Sequence, residues 1–511
     1  MMIKWFRSGD PWIWLTAGMI STSLIAVFGL LLLIATKGLS YFWPADIYQI
    51  TVDQQGQSKQ IVGEIFKRQD ISKQRLLEAG YSVENIKGLE DQRLLIRIGH
   101  RELSSINFDV ILQSEIQKQT QPKDIATITR TKNGPVYAFP ETVTHQGESV
   151  TVENIEQQVA SKIALYQEYR QQYRQLVAEN RTHMSPELIR QLTDIKAKMK
   201  QDSLIVQDIN GQTIKLPFSE ILDFWYPNQL SLFGKLSIWG HQLIHFLVDN
   251  PREANTEGGV FPAIFGTVFM VILMSIIVMP LGVLAAVYLH EYAKDNTFTR
   301  IIRISVVNLA GVPSIVYGIF GLGFFVYTIG GTMDQLFYSE QLPAPTFGTP
   351  GILWSALTLA ILTLPVVIVT TEEGLTRIPS AIRYGSLALG ATKAETLWRI
   401  VLPMATPAMM TGLILAIARA AGEVAPLMLV GAVKMAPTLP VDSTFPFVHL
   451  DRKFMHLGSH IYDVGFQSPN VESARPLVYA TSLLLITVVV GLNLTAIMIR
   501  SKLRDRFQLY S

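Results

Sequence analysis

Residues 259–330, 349–370, 405–433 and 477–499 contain long apolar runs of low charge, and another extends from about Pro11 to Thr36. About 20 apolar residues in a helix cross roughly 30 Å of hydrocarbon. Lipid admits only helices or closed barrels, because every backbone polar group must be paired without water. These runs therefore predict an all-α polytopic membrane protein of six transmembrane helices. The spans fall at about 11–36, 261–288, 301–329, 350–371, 406–433 and 477–499. Residues 45–255 are polar and charged, so the overall hydrophobic share of 49% averages two unlike parts. The expected division is 1–36 (N-terminus and first helix), 37–258 (a large mixed α/β insert between helices 1 and 2) and 259–511 (five further helices and a C-terminal tail).

Lys4 and Arg7 precede the first run, as in a signal peptide. The run is about 24 residues, against roughly 7–15 for a cleavable one, and Lys37 follows it instead of a small-residue cleavage site. It is read as a retained anchor with a cytoplasmic N-terminus. The short segments then assigned to the cytoplasm hold Lys4, Arg7, Lys294, Arg300, Arg303, Arg377, Arg383, Lys393, Arg399, Arg500, Lys502, Arg504 and Arg506. The short outer segments, about 330–349 and 435–476, hold Arg452, Lys453 and Arg475. This asymmetry follows the positive-inside rule and places the insert outside the cytoplasm, with the C-terminus inside. Net charge is +2, from 43 basic and 41 acidic residues, which gives no general attraction to nucleic acid.

The chain has no cysteine, which excludes disulfides, thiol catalysis and cysteine-ligated zinc. In the insert, Tyr48–Val52, Leu94–Ile98, Phe108–Leu112 and Ile125–Thr129 read as strands. Val152 to Lys200 reads as a charged helical hairpin broken at Asn180–Pro186, and Asn210-Gly211 as a two-residue turn between Leu204–Val206 and Ile214–Leu216. Leu230–Val248 suits a helix at the outer membrane interface. Its His241 and His245 have a spacing that suits a metal, but no third ligand is near in sequence, and surface or packing histidines explain them as well; no metal site is assigned.

Between the fourth and fifth spans, Ile378 to Pro403 reads as two short helices around a sharp turn. Pro379 and Ser380 suit a helix start, and Gly390 suits a left-handed stop. Thr392 with Glu395 forms a capping box for the next helix, which Pro403 limits. Locally this is either a plain amphipathic connector or a flat element that another protein grips. The spacing of Gly390, nine residues, then Ile400-x-Leu402-Pro403 resembles the EAA loop of ABC-importer permeases. That resemblance implies docking into a separate ATPase through Tyr384, Gly385, Ser386, Gly390, Ala391, Thr392, Glu395, Ile400, Leu402 and Pro403. Tyr384-Gly385-Ser386 stands where the family name implies Glu-Ala-Ala, so no particular salt bridge to the ATPase is expected. No Gly-x4-Gly-Lys-[Ser/Thr], His-Glu-x-x-His or Gly-x-Ser-x-Gly occurs, so no catalytic residue is assigned and the chain is expected to be no enzyme.

The fifth span carries Arg419 and Glu423, each of which costs several kcal/mol in hydrocarbon (about 2.5–3.5 for a central Arg). Four residues apart, they are expected to share a helix face beside Gly422, with Pro426 one turn on. The pair is either a structural lock or an anion relay, in which Arg419 offers a planar donor fork and Glu423 holds it or takes a proton. The third span is broken by Gly and Pro around Gly311-Val-Pro-Ser314-Ile-Val-Tyr317, where Ser314 and Tyr317 either line a path or bond to backbone.

Ala-Arg419-Ala-Ala-Gly-Glu423-x-Ala-Pro426, together with Glu257–Thr267 and Gly311–Gly323, resembles PstA-type phosphate permeases over about 257–505. The resemblance implies the ABC-importer type I permease fold in the bacterial inner membrane. It also implies that the Arg at 419 serves phosphate passage. The expected partners are a PstC-type permease subunit, an ABC ATPase dimer that binds the ATP, a periplasmic phosphate-binding protein, inorganic phosphate and membrane lipid. No cofactor is expected in this chain. The insert lies outside the resemblance. Two other readings stay open, a permease for another oxyanion and a membrane-anchored sensor or adaptor with a ligand-binding outer domain.

Overall fold

The computed structural model describes residues 10–54, 57–78, 90–99, 108–146, 148–150, 154–179, 185–468 and 471–508. The chain falls into two compact units, Met1–Tyr41 with His245–Ser511, and Phe42–Ile244.

The Phe42–Ile244 unit is built on two antiparallel sheets. The first runs β4–β3–β2–β1–β5, with β1 at Ile47–Gln54, β2 at Gln57–Ser72, β3 at Glu90–Ile98, β4 at Phe108–Leu112 and β5 at Ile116–Thr120. Alternate aliphatics (Ile50, Val52, Ile61, Leu94, Ile96 and Ile111) face one side and pack into a dry layer, as the two-residue period of a half-buried strand requires. The second sheet runs β10–β9–β7–β6–β11, with β6 at Ala126–Arg130, β7 at Val136–His145, β9 at Asp202–Gln207, β10 at Thr213–Pro217 and β11 at Ile221–Trp225; the short β8, Glu148–Val150, pairs with β7. The helix Ile155–Glu179 lays Val159, Ile163 and Tyr166 onto it. This helix and Pro186–Lys198 flank the expected break, of which 180–184 lie outside the described residues; Tyr166 Oη donates to Lys198 O at 3.2 Å and joins them. Asp202 is buried between them and the sheet. Burial would push its carboxyl up, but bonds from Lys162 and His145 outweigh that and hold it below its ordinary range.

The hairpin β9–β10 pairs Val206 with Ile214 as expected, but its turn is not the two-residue one. Asp208 N–H donates to Gln212 O at 2.9 Å, so five residues form the loop. A two-residue type I′ turn needs positive φ at both centres, and here only Gly211 (φ 79°) adopts it. Asn210 instead donates its side-chain amide to Asp208 Oδ2 at 3.0 Å. The region expected at 230–248 does form a helix, Leu232–Val248. His241 and His245 each have a carboxylate neighbour, Asp223 at 3.7 Å and Asp249 at 2.9 Å respectively.

In the other unit, six helices among the described residues are long and apolar enough to cross a membrane. They are Trp12–Ser40, Phe261–Tyr292, Ser314–Phe337, Ile352–Thr376, Lys393–Gly422 and Ala474–Lys502. The fourth is the axis of the packing, with two-thirds of its apolar window buried. Helices meet there at backbone distance. A Cβ on Gly374 would come within 2.4 Å of Ala408 Cβ, and one on Gly412 within 2.1 Å of Thr370 Oγ1. Small residues at such crossings are what membrane helices need in order to gain dispersion contact without a hydrophobic drive.

Two spans differ from their expected form. The third does not run unbroken over 301–329: a helix at Thr297–Leu309 ends, Ala310–Pro313 form a break, and a second helix starts at Ser314. The fifth does not reach 433. It ends at Gly422, and after Glu423 and Val424 a short helix, Ala425–Val430, begins. Nor does Pro403 delimit the helix before it; a widened turn at Leu397–Val401 carries the helix past Pro403 without interruption.

Candidate functional site

The fifth apolar helix arrives at its C-terminal end with small residues buried and charge partly exposed. Ala416, Ala420 and Ala421 are buried, whereas a Cβ added to Gly422 would meet nothing within 4 Å. Arg419, in the last turn, complements the helix C-terminal dipole. Its Nε stands 3.5 Å from Glu423 Oε1, and the two side chains keep 32% and 20% of their surface exposed. The pair forms, but not on one helix face: Glu423 lies beyond the helix end, in extended backbone (φ −79°, ψ 132°). At 3.5 Å through Nε, the guanidinium fork is not closed on its carboxylate.

The break in the third span lies beside the break in the fifth. Gly318 packs so closely that a Cβ there would stand 2.7 Å from Pro426 Cα. Tyr317 is buried, and its hydroxyl donates to Leu309 O at 2.6 Å across the break. Of the two options for Tyr317, this is the bond to backbone. Ser314 opens the second half-helix and is partly buried.

Behind the outer break sits the helix Leu457–Phe466, where Gly458 approaches Val424 so that a Cβ would come 2.5 Å from Val424 Cγ2. Its polar side is turned inward: His456, Ser459, His460 and Asp463 are buried, whereas Phe466 is exposed. His456 Nδ1 accepts from Gly458 N–H at 3.1 Å, and Asn255 Nδ2 donates to Lys434 O at 2.6 Å. Burial pushes both imidazoles down to about 4, with Lys434 adding to the effect at His460. Their one sequence signal is a helix with polar residues at positions 456, 459, 460 and 463, a single face that reads as solvent-exposed.

The loop between the fourth and fifth spans has the local form that its residues predict. The helix Ser380–Ala388 ends at Gly390 (φ 91°), with Gly390 N–H donating to Leu387 O at 3.0 Å and Ala391 N–H to Ser386 O at 3.3 Å. This is the double bond that closes a helix on a left-handed residue. Thr392 Oγ1 then accepts from Glu395 N–H at 3.2 Å while Glu395 Oε2 accepts from Thr392 N–H at 2.9 Å. Ser386 is buried against Thr396, with their hydroxyls 2.8 Å apart. Tyr384 is exposed and Leu389 keeps 91% of its surface. Ile400 is partly buried, and Leu402 is buried with Val287, Leu375 and Val401.

Sequence reading missed what fastens this loop. Arg383 Nη2 stands 3.1 Å from Glu291 Oε1 at the C-terminal end of the second apolar helix, and Arg383 also donates to Leu375 O and Ile378 O. Lys393 donates to Glu291 O at 2.6 Å and lies 4.4 Å over the Tyr292 ring. Glu291 lies about a hundred residues away in the chain and is announced by no motif.

The binding-protein-dependent transport system inner membrane component family matches residues 278–499. The apolar helices and the loop together define a multi-pass inner-membrane permease of the ABC type. The chain is 34% identical over 263 residues to phosphate transport system permease protein PstA 1 of Mycobacterium tuberculosis (strain H37Rv), covering 51% of this chain and 74% of the relative. It is 35% identical over 258 residues to phosphate transport system permease protein PstA of Mycobacterium leprae, covering 50% and 73%. The chain belongs to this PstA family of permeases. Among solved structures, an inward-facing MetNI methionine ABC transporter aligns over 48% of this chain and 94% of its own, at 18% identity and a TM-score of 0.34.

Proposed function

We propose that the chain is the permease subunit of an ATP-driven phosphate importer, with Arg419 and Glu423 on the path of the anion. The observation that carries this reading is the half-open pair at the broken outer end of the fifth span, where Arg419 stays partly exposed. Hydrogen phosphate suits that pair. The guanidinium takes two of its oxygens, and Glu423 accepts the proton that sulfate lacks at neutral pH.

The six apolar helices are six spans, with both termini in the cytoplasm and the 37–258 insert on the outer face. A PstC-type permease completes the channel, a periplasmic phosphate-binding protein delivers the substrate, and an ABC ATPase dimer docks from below. Tyr384, Gly385, Gly390 and Leu389 are the part of 379–403 turned towards the ATPase, while Ser386, Thr392, Glu395 and Leu402 keep that part in shape. Ala391, Ile400 and Pro403 join it to the fifth span. The chain itself binds no cofactor and hydrolyses nothing; ATP is consumed by its partner. Closure of the ATPase pair moves the loop, and the loop moves the fifth span to which it is continuous.

The test is ATP-driven uptake of labelled phosphate by the complete complex in liposomes, wild type against Arg419→Gln, with sulfate as competitor. Uptake that resists sulfate and collapses in the variant supports the proposal. Strong competition by sulfate assigns another oxyanion. Uptake that the substitution leaves intact returns the pair to a structural lock.

A further inference from the structure

The broken stretch 301–329 contains a carbonyl, that of Leu309, which accepts both from the tightened turn after it and from a side chain across the break. In a continuous helix Leu309 C=O would accept from the N–H of residue 313. Residue 313 is proline and has no N–H. The chain tightens there: Ala310 N–H donates to Val307 O at 3.2 Å, Gly311 N–H to Asn308 O at 3.0 Å, and Val312 N–H to Leu309 O at 3.2 Å. Then the helix stops. Tyr317 supplies a second donor to that carbonyl from the first turn of the next half-helix, at 2.6 Å, where the N–H of residue 313 would have stood. Tyr317 also belongs to the buried cluster of Ala416, Ala420 and Ala421, the small residues of the turns that carry Arg419.

One residue later, Gly318 seats that half-helix on Pro426, three residues after Glu423. The bond from Tyr317 therefore fixes the angle between the halves of the third span, and the second half is the surface on which the broken end of the fifth span rests. We propose that Tyr317 is a positioning residue for the Arg419–Glu423 pair: its hydroxyl takes the place of the N–H that Pro313 lacks and so sets where the outer break of the fifth span lies. Tyr317 does not touch the anion; it acts through Leu309 on one side and Gly318–Pro426 on the other. This rests on the reading of Arg419 and Glu423 as the path.

The experiment uses the complete reconstituted transporter with Tyr317→Phe, Pro313→Ala and the double variant. Tyr317→Phe keeps the ring and loses only the donor, leaving Leu309 C=O with the Val312 N–H alone and no bond across the break. The phosphate concentration for half-maximal uptake should rise about tenfold, while complex yield and ATP hydrolysis without substrate stay at wild-type levels. Pro313→Ala restores an N–H aimed at the same carbonyl, so the double variant should return to within about threefold of wild type. Rescue of this kind is unavailable to a residue that lines the path. An unaltered Tyr317→Phe overturns the proposal, and so does a Tyr317→Phe defect that Pro313→Ala fails to repair, which would place the hydroxyl on the anion. Arg419→Gln is measured alongside. If it transports normally, the path reading fails, whereas the rescue pattern still reports on the Tyr317 bond.

Discussion

The fifth apolar helix is entered through a loop fixed by hydrogen bonds and ion pairs and left through a break fixed by close packing beside a half-open charged pair. At the inner end, Gly390 closes one helix, Thr392 and Glu395 open the next, and Arg383 and Lys393 fasten both to Glu291 and its neighbours on the second span. At the outer end the helix stops between a charged pair 3.5 Å apart, with open space over Gly422 and with Gly318 and Val424 as neighbours. A lever must be stiff where force enters and compliant where the work is done. Proteins change between discrete packings and do not deform continuously. Under the proposed function, the loop passes movement on as one piece and the break is where the packing changes.

The outer end carries the largest expected effect, and the sharpest way to test the contrast is to vary one group there. Arg419→Gln should lower ATP-driven phosphate uptake by about a hundredfold or more, because it removes both the charge and the fork. Arg419→Lys keeps the charge on a compact ammonium and should recover part of the loss, ending about tenfold below wild type. Initial uptake rates at fixed phosphate measure both. Equal rates for Arg and Lys would mean that charge alone matters and that the planar fork is incidental.

Acid should separate the two ends. His456 and His460 have folded-state values of about 4 against an ordinary value near 6.5. The folded state therefore binds fewer protons than the opened one between those values, so the stability they permit is full above pH 6.5 and declines as pH falls towards 4. At pH 5 the cost is about 2 kcal/mol for each imidazole. Hydrogen exchange of 457–466 in the assembled complex, corrected for the intrinsic rate, should accelerate between pH 7.5 and 5, whereas that of 380–396 should not. His460→Asn should halve the response on a free-energy scale. Equal acceleration at both ends would deny that the histidines set the local stability.

Much of this contrast is readable from residues, but unevenly. The inner loop is legible because its determinants are local: Gly390 needs a positive φ, and Thr392 needs Glu395 three residues on. The alternating aliphatics at Ile50, Val52, Leu94 and Ile96 announced the strands for the same reason. The outer break is not legible in that way. Pro280, Pro365 and Pro407 lie inside continuous helices, whereas Pro313 and Pro426 lie at breaks, and nothing in their neighbours distinguishes the two groups in advance. Whether a proline breaks a membrane helix depends on what satisfies the freed carbonyl, and that partner is tertiary. Tyr317 is such a partner. The spacing of Arg419 and Glu423 likewise predicted contact, but not that the helix would end between them. Glu291 was invisible because its value lies in what Arg383 and Lys393 bring to it.

Gly390→Ala tests the inner end without touching its packing, since a Cβ there would meet nothing within 4 Å. The penalty is conformational: a left-handed residue with a side chain costs roughly 1–2 kcal/mol. The helix end at 387–391 should fray, and phosphate transported per ATP hydrolysed should fall by about threefold to tenfold. Gly390→Asn, which tolerates this conformation better, should fall less. A result in which Ala and Asn behave alike would assign Gly390 to close contact with the ATPase and not to backbone geometry.

The smallest expected effect is at Thr392. Replacing it with alanine removes the acceptor for Glu395 N–H and leaves the carboxylate of Glu395 still able to reach the backbone of residue 392, so half of the reciprocal cap survives. Loss of such a cap costs about 1 kcal/mol. Thr392→Ser retains the hydroxyl and should be close to neutral. Because the helix that starts here is tied to Glu291 through Lys393 and continues unbroken to Gly422, it has other support, and phosphate moved per ATP should drop by no more than about threefold. A much larger loss in the alanine variant, repaired by serine, would show that the first turn of this helix and not its tertiary anchoring carries the load. The inner end would then be less over-determined than its bonds suggest, and the contrast between the two ends of the span would narrow.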